Sequence, residues 1–301
     1  MKRLNIFLVL LVLILSSLAC SFPWETPTET PPSVPTTEVP PLPSETEAPI
    51  ETETPTEEVV PSATAYTCPA GLTGMTAFSV EFCYPFSLAT GVAQSMIPEN
   101  PPDPMSAPWD YNPDMIELTL QDYPVYNQYH DPIIHIYPVA DYIALEPNIQ
   151  TTLTSLQTLL ASQDPHPSSV PFLPIFNAAQ MMHAQVTYLT FRNGSGVRFL
   201  TQYGQAALPI NNPSAIYAFM GLTDDGQYFI SATFGINHPS FENDSMAEPA
   251  EGWEAFTNNY ETYITNMETA LAAEPANAFT PDLSLLDGMM SSFLIPAAAI
   301  P

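Results

Sequence analysis

Lysine occurs once in the 301 residues, at position 2, and arginine three times, at positions 3, 192 and 198. Beyond the first twenty residues no lysine is available for Schiff-base or general-base chemistry. Two bases then face 32 acids, a net charge of −30 for residues 21–301. Such a chain is repelled by phosphate backbones and anionic headgroups, which excludes nucleic acid as a partner. Metal-binding patterns are also missing. There is no His-x-His, no HExxH, no Cys-plus-His cluster and no EF-hand loop, so neither a metal nor another cofactor is expected. His130 and His135 are an odd number of residues apart and on one strand would face opposite sides. Long hydrophobic runs are scarce. Leu4 to Leu15, broken only by Asn5, is too short for a spanning helix of about 20 residues.

That short run has a different reading. Lys2 and Arg3 precede it and Ser16-Ser17-Leu18-Ala19-Cys20 closes it, the layout of a secretory signal peptide. Small residues just before Cys20 resemble a bacterial lipobox, although Ser17 stands where Leu is commoner. The expectation is a signal peptide over 1–20 and a lipid on Cys20. The protein would then be membrane-anchored and face outside the cytoplasm; an ordinary cleaved signal is the alternative. With Cys20 taken by lipid, Cys68 and Cys83 remain as an even pair, either a disulfide, as export permits, or two buried thiols.

Residues 21–65 hold eleven Pro, ten Thr and nine Glu with few large apolar groups. Proline favours extended conformations and the glutamates repel, so this reads as a disordered linker. Residues 66–301 read as a single domain. Strands are expected over 78–84, 115–120 and 132–137, and a helix over 148–161. Two hairpins follow, 182–191 with 197–203 around Asn193-Gly194, and 215–222 with 227–234 around Asp224-Asp225-Gly226, because these turn residues accept positive φ. Helices are expected over 252–273 and 282–294, the latter started by Pro281-Asp282. This order predicts an α+β domain, an antiparallel sheet of six or seven strands with helices packed against it.

The stretches Asn193 to Tyr203 and Gly221 to Tyr228 resemble a group of uncharacterised bacterial lipoproteins that share a lipobox, a Pro/Thr-rich spacer and an α+β domain. That resemblance implies no particular activity. The order of elements and the strand end Phe82-Cys83-Tyr84-Pro85 are similar to PsbP-like domains. This implies an antiparallel sheet flanked by helices that serves as a binding or assembly module, and a fold does not fix a function.

Candidate binding residues fall in two groups. Arg192 and Arg198 flank the Asn193-Gly194 turn and would form either an anion clamp or two pairs with nearby acids. Trp109 and Tyr111, in the proline-rich segment 98–114, together with Tyr123, Tyr126, Tyr129 and Tyr137, offer either a binding surface or a roof over the core. Gly194-Ser195-Gly196 lies between two strands, so it is no nucleophile elbow, which needs a strand-to-helix turn. The expected function is non-catalytic binding of a ligand, an envelope protein or a glycan. A secreted carboxylate-dependent hydrolase is the alternative.

Overall fold

The structure, a computed structural model, describes residues 66–300. The expected signal peptide, Cys20 and the linker lie outside the described residues. In chain order the strands are β1 (Leu72–Ala77), β2 (Val80–Pro85), β3 (Gly91–Ile97), β4 (Met115–Gln121), β5 (Ile133–Pro138), β6 (Ala179–Gln180), β7 (Ala184–Phe191), β8 (Gly194–Thr201), β9 (Tyr203–Gly204), β10 (Ile216–Thr223) and β11 (Tyr228–Gly235). The helices are α1 (Val139–Leu145), α2 (Ile149–Ser162), α3 (Trp253–Asn258), α4 (Tyr260–Ala272) and α5 (Leu283–Ser291).

Seven strands make one antiparallel sheet in the order β3-β4-β5-β11-β10-β8-β7, so the fold is α+β as expected. Strands β7, β8, β10 and β11 form the four-stranded meander read from the two turn signals. Alternation along the strands divides the core. Ile134, Tyr217, Phe219 and Ile230 point to one face, where Phe82 of β2 and Met289 of α5 cover them. Tyr137, Phe199 and Phe229 point to the other, against Tyr142 of α1 and Leu153 and Leu156 of α2. Helices thus lie on both faces. Strands β10 and β11 are buried at every position, and buried strands read as near-continuous apolar runs.

Several local expectations differ from the structure. The strand placed over 78–84 starts at Val80, because Phe78 and Ser79 form the β1–β2 turn with φ of 49° and 76°. Strands β1 and β3 escaped the reading. Their residues are small, polar or largely exposed, so no apolar alternation marks them. The helix over 252–273 is two helices that break at Asn259, where φ is −111°. Thr257, Asn258 and Asn259 all have side chains that compete for backbone hydrogen bonds. The last helix ends at Ser291. Leu294 then pairs with Glu81 of β2 through two backbone hydrogen bonds. Its start is as read: the Asp282 side chain accepts from the Ser284 N–H at 2.9 Å, a cap worth about 1 kcal/mol.

The two hairpin turns work differently. At Asp224-Asp225-Gly226 the positive φ expected of the turn is present, 69° at Gly226. At the first hairpin Phe191 pairs with Gly194, so Arg192 and Asn193 are the turn residues, and neither Asn193 nor Gly194 has positive φ. Asn193 instead donates to Ile295 O at 2.6 Å and accepts from Ile295 N at 3.1 Å. Gly194 is required by close approach: a Cβ there would collide with the Phe191 ring and the Leu222 carbonyl.

Candidate functional site

Two large clefts open on the domain. One, of about 540 Å³, runs between β7, α4 and the loop at His166. Its polar groups are already engaged. His183 N donates to Glu268 Oε1 at 2.8 Å, and the Gln185 amide donates to the Leu271 and Glu274 carbonyls at the end of α4. Gln185 has φ of 55° at a bulge in β7, a position fixed by packing against α4. This cleft is therefore a seam whose hydrogen bonds are largely internal.

The other cleft, of about 510 Å³, has an aromatic wall. The short β6–β9 ladder sets Gln180 opposite Tyr203, and Gln180 Nε2 donates to the Tyr203 hydroxyl at 3.1 Å. The same amide bonds Val170, which fixes the loop before β6. Phe176, at the end of that loop, meets the Tyr203 ring edge-on with centroids 4.7 Å apart and the Phe172 ring at 4.8 Å. His130 packs on Phe176 at 5.0 Å. Such aromatic pairs contribute about 0.5–1.5 kcal/mol each beyond area burial, so the wall is preformed. Tyr129 and Met246, 62% and 68% exposed, flank it. Asn177, Gln205 and Ser245 supply polar groups, and no charged residue lines this cleft.

Tyr129, His130 and Phe176 also line a smaller chamber of about 170 Å³, with His135, Ser231 and Asp131. Burial holds the His130 imidazole down at a pKa of about 4, partly opposed by Asp131, and burial also lowers His135 against the pull of Glu117. The two histidines thus share a chamber, contrary to the alternation argument. His130 precedes β5, so the period of two does not reach it.

Glu117, His135 and Ser231 stand side by side across β4, β5 and β11. His135 Nε2 lies 3.2 Å from Glu117 Oε2. The Ser231 hydroxyl, however, donates to the Leu173 carbonyl at 2.6 Å and is not presented to the imidazole. The row is a set of cross-strand contacts, invisible in the sequence because its members lie on three separate strands.

The residues singled out from sequence are dispersed. Arg192 pairs with Glu81 at 2.8 Å and lies over the Tyr66 ring at 4.0 Å. Arg198, on β8, is 5% exposed and pairs with Asp287 of α5. They form two separate ion pairs, with no shared clamp, because Arg198 points into the core under α5. Trp109 is 42% exposed on a single helical turn, and the Tyr111 hydroxyl donates to Ser106 O at 3.3 Å. Neither residue lines a cleft described above. Tyr137 is core, stacked on Tyr142 at 4.8 Å, and Tyr123 donates to Gly235 O at 3.0 Å. Of that aromatic group, Tyr129 alone lines the aromatic cleft. Phe172 and Phe176 were missed because they lie in a proline-rich loop without periodicity, and Tyr203, though placed at the end of the expected strand 197–203, carries no local sign of a site.

Cys68 and Cys83 are joined as a disulfide, with Cα atoms 5.8 Å apart. Among the described residues no helix is long and apolar enough to cross a membrane, and no group of three or more His, Cys, Asp or Glu could hold a metal. No protein family, curated protein or solved structure matches the chain.

Proposed function

We propose that this chain is a membrane-anchored bacterial envelope lipoprotein. In this reading it is lipidated at Cys20, and its 66–301 domain is a non-catalytic module that binds a ligand or partner outside the cytoplasm. The observation that carries the binding role is the aromatic cleft beside His130, Phe176 and Tyr203, whose volume of about 510 Å³ falls within the range of ligand pockets. The clefts described above are each lined by one carboxylate at most, Glu268 in the first, Asp131 in the small chamber and none in the aromatic cleft. This favours binding over the carboxylate-dependent hydrolase, since glycoside hydrolysis by carboxylates uses two convergent acids. The anchor rests on the Leu4–Leu15 run, the residues before Cys20 and the proline-rich spacer after it.

The test is a thermal-shift screen of the full chain with neutral oligosaccharides, peptides, fatty acids and Ca²⁺, run beside Phe176→Ala. The reading expects a stabilising ligand class whose effect the substitution removes. If no class stabilises the wild type, or the substitution leaves every shift intact, the cleft is not the binding site.

A further inference from the structure

We propose that the aromatic cleft takes a neutral saccharide, its rings stacking on Phe176, Tyr203 and Tyr129 and its hydroxyls bonding Asn177, Gln205 and Ser245. This rests on the binding role proposed above and names its ligand class.

Charge is the first argument. The chain carries 32 acids and 4 bases, yet no carboxylate and no guanidinium lines this cleft. A cationic ligand would be met by carboxylates, which this surface has in excess. An anionic ligand needs a base, and Arg192 and Arg198, the only two among the described residues, are paired with Glu81 and Asp287. His130 does not add charge above pH 5, since burial holds its pKa at about 4.

The mixture of groups is the second argument. An acyl chain would bury against the rings but strand the polar groups, and a buried unpaired polar group is costly. Asn177 is exposed and its side-chain amide makes no hydrogen bond within the described residues, while Gln205, whose Nε2 donates to the Asn177 carbonyl at 2.8 Å, has its Oε1 left to accept. An amide offers two donors and an acceptor, and a hydroxyl both donates and accepts. A sugar ring has both requirements together: an apolar face of C–H groups for the rings, and an edge of hydroxyls for Asn177, Gln205 and Ser245.

The experiment presents the full chain to an array of neutral, uronate-bearing and amino-sugar oligosaccharides, with dodecanoate measured separately by calorimetry. One or more neutral glycans are expected to bind, and Phe176→Ala to weaken them about tenfold. Asn177→Ala, at an exposed residue outside the ring packing, is expected to weaken them several-fold while leaving the melting temperature unchanged. His166→Ala, in the other cleft, is expected to leave binding as it is. Binding confined to charged glycans or to dodecanoate overturns the saccharide assignment, as does neutral-glycan binding that survives both Phe176→Ala and Asn177→Ala. If dodecanoate or a charged glycan alone binds and Phe176→Ala abolishes it, the saccharide assignment as made fails while the binding role stands. If no ligand of any class is sensitive to Phe176→Ala, both fail.

Discussion

Arg198 grips Asp287 with both arms of its guanidinium, Nε to Oδ1 and Nη2 to Oδ2, each at 3.0 Å. The Tyr217 hydroxyl donates to the same carboxylate at 2.9 Å, and Arg198 also donates to the Gln185 carbonyl. One side chain of β8 therefore ties together α5, β10 and the bulge of β7. Its value is in satisfying a carboxylate that α5 carries against the sheet.

Removing the arginine leaves that carboxylate without its countercharge. Arg198→Ala is expected to cost about 3–5 kcal/mol. Replacing both partners by apolar groups, Arg198→Met with Asp287→Leu, is expected to recover part of the loss. Urea denaturation of the two variants checks this; a loss under 1 kcal/mol for Arg198→Ala would show that the pair contributes little.

Gly196 faces the Phe219 ring across β8 and β10. A Cβ there would lie 2.7 Å from Phe219 Cε2 and 2.8 Å from the Met220 carbonyl oxygen. Gly196→Ala is therefore expected to destabilise the domain by about 1–3 kcal/mol through overpacking. Thermal melting reads the effect directly, and an unchanged melting temperature would refute the close approach.

The Cys68–Cys83 bond closes a loop with a sequence separation of 15 that contains β1, the β1–β2 turn and the first part of β2. Cross-linking a loop of that length restricts the unfolded chain and is worth about 3 kcal/mol. Reduction, or Cys68→Ser, is expected to lower unfolding stability by about that amount. Equal stability of the oxidised and reduced protein would contradict it.

Burial depresses the His130 pKa to about 4, from an ordinary 6.5. Above pH 6.5 the ring is neutral in both folded and unfolded chains and has no effect. As the pH falls from 6.5 toward 4, the unfolded chain takes up a proton that the folded one refuses, and folding stability drops. Between pH 7 and pH 5 the loss is expected to be about 1–2 kcal/mol. The relief of acid–acid repulsion is common to wild type and variant, so the comparison isolates the ring. His130→Gln should lose less stability over this interval, and an identical loss in both proteins would remove His130 as the cause.

The sheet was legible where alternation or a turn signal was strong. β10 and β11 are apolar runs on either side of an Asp-Gly turn, and the Asp282 cap is local chemistry. β1 and β3 were not legible, because a polar edge or an exposed hairpin arm leaves no pattern. Asn193-Gly194 marked the right turn for another reason: Asn193 ties the turn to Ile295 and Gly194 makes room for Phe191. The cleft was legible only at Tyr129. Phe176 and Tyr203 come together through a two-residue ladder, a contact that local sequence does not encode. Conspicuous residues were engaged elsewhere, Arg198 with Asp287 and Tyr137 with the core.

The proposed place of action depends on Cys20. Its most direct test is mass spectrometry of the protein recovered from the membrane fraction of an expressing bacterium. The account predicts a chain that begins at Cys20, with that residue carrying a diacylglyceryl group. A chain with residues 1–19 retained, cleavage at another bond, or an unmodified Cys20 would contradict it.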